Sequence, residues 1–181
     1  MDRVELTDDV VVLRAPGAAD VDRITELCQD PDVQEWTVVP SPYTRADAEG
    51  FVEHVVDAGW AAGTELTWAV RDAATDRLDG MVGLSLAPAA SAEIGYWLGP
   101  DARGRGAMSR AVRLVVDHAL RPDGLGLERL TWSAVVGNTA SLRVAERAGF
   151  RVEGTVRGFV LQRGSRRDGW VATLLAGDPR P

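Results

Sequence analysis

The 181-residue chain contains no lysine: all 20 of its basic residues are arginine. That absence excludes Schiff-base chemistry and a phosphate loop of the Gly-Lys-Ser/Thr type. Cysteine is nearly absent too. Cys28 stands alone, so an intrachain disulfide and a zinc site built on paired cysteines are excluded by count. The two histidines, His54 and His118, form no sequence cluster with it, and no metal is expected. No stretch approaches the roughly 18 apolar residues of a spanning helix. The first nine residues carry Asp2, Glu5, Asp8 and Asp9 where a leader would have a basic segment followed by an apolar one. The expectation is a soluble, cytoplasmic protein with no membrane partner.

Hydrophobic residues make up 45% and charged residues 26%, ordinary for a chain that buries a core, so residues 1–181 are expected to form one domain. The net charge of −7 argues against general nucleic-acid binding. That charge is unevenly spread. Up to Trp60 there are 14 acidic residues against 4 arginines, and beyond it 13 against 16. An acidic first third favours a cationic substrate, and a mildly basic remainder tolerates a polyanion such as a nucleotide cofactor; plain solubility charge is the alternative.

Val10–Leu13 reads as a strand, and Ala18–Gln29 as a helix with Val21, Ile24, Leu27 and Cys28 apolar. Residues 31–43 hold Trp36 and three prolines without a period, which reads as an irregular loop. Thr44–Gly59 reads as a helix, capped by Thr44 with Asp47 three residues on and ended by Gly59 or Gly63. Thr67–Arg71, Leu78–Leu86 and Ala92–Leu98 form an antiparallel meander. Gly104–Leu120 is helical, with Ala111, Val115 and Ala119 at i, i+4 and i+8. A strand at Leu130–Val136 and a helix at Thr139–Ala148 follow, and then a hairpin of Phe150–Leu161 with Trp170–Leu175. The pattern is α/β.

Between the third meander strand and the long helix runs Tyr96-Trp97-Leu98-Gly99-Pro100-Asp101-Ala102-Arg103-Gly104-Arg105-Gly106-Ala107-Met108. The first amides of a helix have no internal partner and sit at the positive end of its dipole, so a pyrophosphate fits there. Gly104 and Gly106 permit positive φ and close backbone approach. The third glycine of a dinucleotide-binding fingerprint would fall at Ser109, so phosphate contact rests on amides and arginine. A helix start with two permissive glycines and no ligand is the bland alternative.

The string from Glu93-Ile94-Gly95-Tyr96-Trp97 through Arg103-Gly104-Arg105-Gly106 resembles motif A of the GNAT N-acetyltransferases, Arg/Gln-x-x-Gly-x-Gly/Ala, which seats the pyrophosphate of acetyl-CoA. Asn138 through Arg143, and on to Glu146-Arg147-Ala148-Gly149-Phe150, resembles motif B of the subgroup that acetylates ribosomal-protein N-termini, the RimJ/RimL-like proteins. With Val12–Pro16 and the closing hairpin the resemblance covers nearly the whole chain. There are two departures. The last motif A position is Met108, and the closing strand offers no carboxylate at Gly158–Leu161, where some members carry a glutamate.

The resemblance implies a single GNAT-like α/β domain with a central mixed, mostly antiparallel sheet of six to seven strands flanked by about four helices. It implies direct transfer of an acetyl group from acetyl-CoA to a primary amine through a tetrahedral intermediate, with acetyl-CoA as acyl donor and no metal. Tyr96, Trp97 and Leu98 would meet the pantetheine arm through their backbone. Arg103, Gly104, Arg105, Gly106, Ala107 and Met108 would bind the pyrophosphate, and Asn138, Ser141 and Arg143 would complete the cofactor site. Ser141 would protonate the leaving thiolate, or merely cap its helix. Glu93 is the candidate base, directly or through water, with an exposed strand-end carboxylate as the alternative; Tyr96 is a further acid or base candidate, or packing. The acceptor is a protein N-terminal α-amine or a small amine, an aminoglycoside-like one included, and the donor is acetyl-CoA or a larger acyl-CoA. A non-catalytic CoA-binding module is the rival class. A monomer or a homodimer is expected.

Overall fold

A computed structural model describes residues 1–180; Pro181, the last residue of the expected domain, lies outside the described residues. Eight strands form one sheet in the order β1-β2-β3-β4-β5-β6-β8-β7. They are β1 Leu6–Thr7, β2 Val11–Arg14, β3 Glu65–Asp72, β4 Leu78–Ala87, β5 Ser91–Leu98, β6 Arg129–Val135, β7 Arg151–Gln162 and β8 Ser165–Leu175. All neighbours are antiparallel except β5 and β6. The eighth strand is the two-residue β1, too short to leave an alternation in the sequence, so the expected count of six to seven is corrected to eight.

Side chains alternate across the sheet with the period of two that a pleated strand imposes. Leu66, Trp68 and Val70 of β3 face one core and Ala69 the other. The first core lies beneath α5 Ala107–Leu120 and α6 Thr139–Arg147, and the second beneath α1 Val21–Leu27, α2 Pro31–Trp36 and α3 Arg45–Gly50. In α5 the buried residues Ala111, Val112, Val115, Val116 and Ala119 recur every three or four positions. Fully burying one such valine is worth about 1.5–3 kcal/mol over leaving it exposed, so this stripe fixes how the helix is turned.

The helix after Thr44 starts as its sequence indicates. Thr44 and Asp47 exchange side-chain and backbone bonds in a capping box, and after the π-helical Phe51–Asp57 and α4 Ala58–Ala62 the run ends at Gly63 with φ +67°. With α2 and the separate α4 there are more helices than the four expected. Residues 31–36 are not loop: the Asp30 side chain accepts from the Val33 amide at 3.0 Å, and Pro31 opens the helix. Six residues are too few for a period to show. Among the described residues no helix is long and apolar enough to cross a membrane.

Candidate active site

The strands β5 and β6 pair from Ser91↔Arg129 only as far as Ile94↔Trp132, and then part. Meanwhile β5 stays bonded to β4 up to Leu98, and β6 to β8 up to Val135, so the sheet opens without either strand losing its outer partner. A cleft of about 330 Å³ occupies the opening. Its walls come from both faces of the sheet: Tyr96 and Leu98 with α5 and α6 on one side, Trp97 with Val33 and Trp36 on the other. A molecule lying in it reaches both faces.

One end of the cleft is the turn into α5. Gly104 and Gly106 have φ +78° and +80°, and a Cβ at either would meet nothing within 4 Å. Gly106 is the N-cap residue, and no side chain caps the helix, so no side chain takes up the first amides. Arg105 is exposed there. Arg103 does something else. Its guanidinium donates to Asp32 at 2.8 Å, to Asp30, and to the Leu98 carbonyl at 3.0 and 3.1 Å. Arg103, expected to meet the pyrophosphate, lines the cleft, and two carboxylates already hold its guanidinium, which ties the turn to the start of α2. The Met108 side chain is buried with the core of α5 and also lines the cleft.

The other end is built on α6. Asn138 caps that helix, its Oδ1 accepting from the Ser141 amide at 3.1 Å. The Tyr96 hydroxyl donates to the Ser141 carbonyl at 2.8 Å, and Trp132 Nε1 donates to Ser141 Oγ at 3.2 Å. Burial pushes the Tyr96 phenol well above the usual tyrosine range, so it stays a neutral donor committed to α6. Arg147 lines the cleft, whereas Arg143 is exposed and donates to the Thr139 carbonyl at 3.2 Å.

Glu93 is not among the residues lining the cleft. It is exposed on the face opposite Ile94, one residue before the strands part, and accepts the Ser133 hydroxyl at 2.5 Å. The sequence reading missed the helical form of residues 31–36 and Trp132 as a neighbour of Ser141. The Asp30-Pro31 pair was the available signal for the first, and nothing local signalled the second. The β7–β8 hairpin holds the α2 wall in place: buried Gln162 donates to the Glu35 and Thr37 carbonyls at 2.8 and 2.7 Å. Arg167 pairs with Glu35 at 2.8 Å and lies 5.8 Å over the Trp36 ring. Among the described residues no group of His, Cys, Asp and Glu could hold a metal ion.

A family model described as "Acetyltransferase (GNAT) domain" matches residues 11–151. A Bacillus subtilis (strain 168) protein, "Probable N-acetyltransferase YjcK", is 38% identical over 117 residues, 63% of this chain and 64% of that protein, so the chain spans less than two thirds of that relative. The crystal structure of a GCN5-related N-acetyltransferase from Brucella melitensis matches with a TM-score of 0.81 at 27% identity, over 97% of this chain and 80% of that one. RimL, described as a ribosomal L7/L12 alpha-N-protein acetyltransferase in complex with coenzyme A, matches with a TM-score of 0.85 at 20% identity, over 95% and 98% of the two chains. At that identity the likeness is one of fold.

Proposed function

Since the chain belongs to the GNAT acetyltransferase family, we propose that it moves an acetyl group from acetyl-CoA to a primary amine by direct transfer. The observation that carries this reading is one cleft running from an uncapped helix start to the point where β5 and β6 part, open to both sheet faces. A thioester entering from the α5–α6 face and an amine entering from the other would meet in it.

The amides at the start of α5 take the pyrophosphate, with Gly104 and Gly106 leaving room for it and Arg105 and Arg147 adding charge. Arg103 holds this turn in shape rather than contacting phosphate. The parted backbone of Tyr96, Trp97 and Leu98 offers donors to the pantetheine arm and to the oxyanion of the tetrahedral intermediate. The Asn138 amide group faces the same arm. Ser141 hands its proton to the leaving sulfur. Glu93, on the acceptor face just before the parting, takes the amine proton through water. A peptide α-amine, with a pKa of roughly 7.7 to 8.0, is already partly neutral at pH 7 and needs little from an exposed base, so a protein N-terminus is the favoured acceptor. The sheet draws strands from residue 6 to residue 175, which supports reading residues 1–181 as one catalytic domain.

Thermal denaturation with acetyl-CoA, succinyl-CoA, CoA and ATP tests the donor, because a ligand at a hundred-fold excess over its Kd stabilises by about 2.7 kcal/mol. Thiol release across peptides, polyamines and aminoglycosides then tests transfer. A CoA-specific shift with release on one acceptor class, abolished or sharply reduced in Ser141→Ala, is expected. A shift without release on any amine would leave a binding module, and no CoA shift would remove the reading altogether.

A further inference from the structure

Three bonds converge on Ser141, and together they decide what its hydroxyl has left to give. The backbone amide is used by Asn138 and the carbonyl receives Tyr96. The third bond has a fixed direction: an indole N–H only donates, so Trp132 gives its proton to Ser141 Oγ and occupies one oxygen lone pair. A serine hydroxyl carries one proton and two lone pairs. The Tyr96 hydroxyl beside it spends its own proton on the Ser141 carbonyl, and Ser141 lines the cleft, so the hydroxyl proton can turn towards a ligand there. Trp132 is 2% exposed, packed in the core beneath α5 and α6, and is the last residue of β6 paired to β5. The hydroxyl is thus tied by one bond to the point where the strands part.

Resting on the acetyl-transfer reading above, we propose that Trp132 is a positioning residue for the departure of the thiol. Its indole N–H holds Ser141 Oγ so that the hydroxyl proton is presented to the cleft, and it steadies the charge that grows on that oxygen while the proton is shared. The exchange balances. The C–N bond forms and the C–S bond breaks, the sulfur takes the Ser141 proton, and the proton released by the nitrogen, taken up by Glu93 through water, is returned through water to Ser141. The hydroxyl is regenerated, and the products are an amide and free CoA. A hydrogen bond to a charged oxygen is roughly twice as strong as one between neutral groups, so the Trp132 bond tightens as the reaction proceeds. An interaction that strengthens only in the transition state is read in kcat and not in ground-state binding.

Trp132→Phe keeps a buried aromatic ring and removes the donor. The expected result is a fall in kcat of about ten-fold, the range for one hydrogen bond of this kind, with the acetyl-CoA dissociation constant unchanged. In a Ser141→Ala background the same substitution is expected to cost nothing further in kcat, which a merely structural role would not produce. An equal loss in both backgrounds, or a loss of acetyl-CoA affinity with kcat intact, overturns the proposal. Failure of the acetyl-transfer reading looks different: wild-type protein releases no thiol, whereas normal turnover in Ser141→Ala overturns the proposal and leaves acetyl transfer standing. Should Trp132→Phe fail to fold, the six tryptophan indole N–H signals of the 15N-labelled protein decide. One of them is expected to move upfield in Ser141→Ala without any ligand, and to be a signal that also shifts when CoA is added. Six unmoved signals in Ser141→Ala overturn the proposal.

Discussion

Replacing Gly106 by alanine separates the cost of an unusual backbone from the cost of an obstructed phosphate site. At φ +80° the residue is left-handed, which an L side chain adopts at a cost of about 1–2 kcal/mol. Nothing adds to that in the protein alone, because a Cβ there meets no heavy atom within 4 Å. For a chain of this length 1 kcal/mol corresponds to about 2–4 °C, so Tm is expected to fall by about 2–8 °C. Gly126, with φ +62° and equally open surroundings, lies in the connection that follows α5, so Gly126→Ala carries the same strain away from the cleft. The open space at Gly106 is where a pyrophosphate must come within about 3 Å of the amides. A methyl group there forfeits at least one charge-assisted bond of about 1.5–3 kcal/mol, so acetyl-CoA affinity falls about ten-fold or more. Calorimetric titration of wild type and both variants, at a temperature where all are folded, reads this directly. Similar falls in Tm with weakened binding only in Gly106→Ala are expected. Equal acetyl-CoA affinity in all three proteins would refute the placement of phosphate at this turn.

Arg103→Ala strips Asp30 and Asp32 of their cation and frees the Leu98 carbonyl. With Arg103 about one third exposed, a loss of about 1–2 kcal/mol in denaturant unfolding is expected, with weaker acetyl-CoA binding as the Asp32 carboxylate lining the cleft loses its cation; unchanged stability and affinity would refute this. Burial pushes the Cys28 thiol from an ordinary value near 9 up to about 12, against the opposing hydrogen bond of the Tyr43 hydroxyl. The native protein should therefore expose no reactive thiol to a disulfide reagent at about pH 8, and thiol-release assays read CoA alone. Because the folded value is the raised one, the stabilisation is complete below about pH 9 and is lost as pH rises towards 12; melts that hold between about pH 8 and about pH 10.5 would contradict it. Burial pushes the Asp8 carboxyl up, but the amides of Val11 and Val10 and the Arg110 guanidinium outweigh that and hold it below its usual 3.8. Its stabilisation is present above that value and lost as pH falls through the lowered one. Asp8→Asn should melt below wild type at about pH 7, and the gap should close towards about pH 2.

Much of the molecule was legible because its signals are local. The meander from Thr67 to Leu98, the stripe of α5, the Thr44–Asp47 box and the left-handed glycines each depend on residues a few positions apart. The two motifs around Gly106 and Asn138 are of the same kind. What stayed hidden was either too short or too distant. The strand Leu6–Thr7 spans two residues, and α2 has a single buried apolar residue, Val33, so neither carries a period. The acids that hold Arg103 lie 71 and 73 residues earlier in the chain, so nothing near it in the sequence shows that pairing.

The sequence by itself determined the types of the longer elements, the glycine turn that opens α5 and the Asn138 cap that presents Ser141, since helix caps, strand alternation and positive-φ turns are set by neighbouring residues. Only the tertiary structure decided that β5 and β6 share four residue pairs and then separate, that α2 closes one wall under the hold of the β7–β8 hairpin, and that Trp132 reaches the Ser141 hydroxyl. Those are choices of partner between segments far apart in the chain. They follow from how the whole sheet is registered and packed, which no short window of residues records.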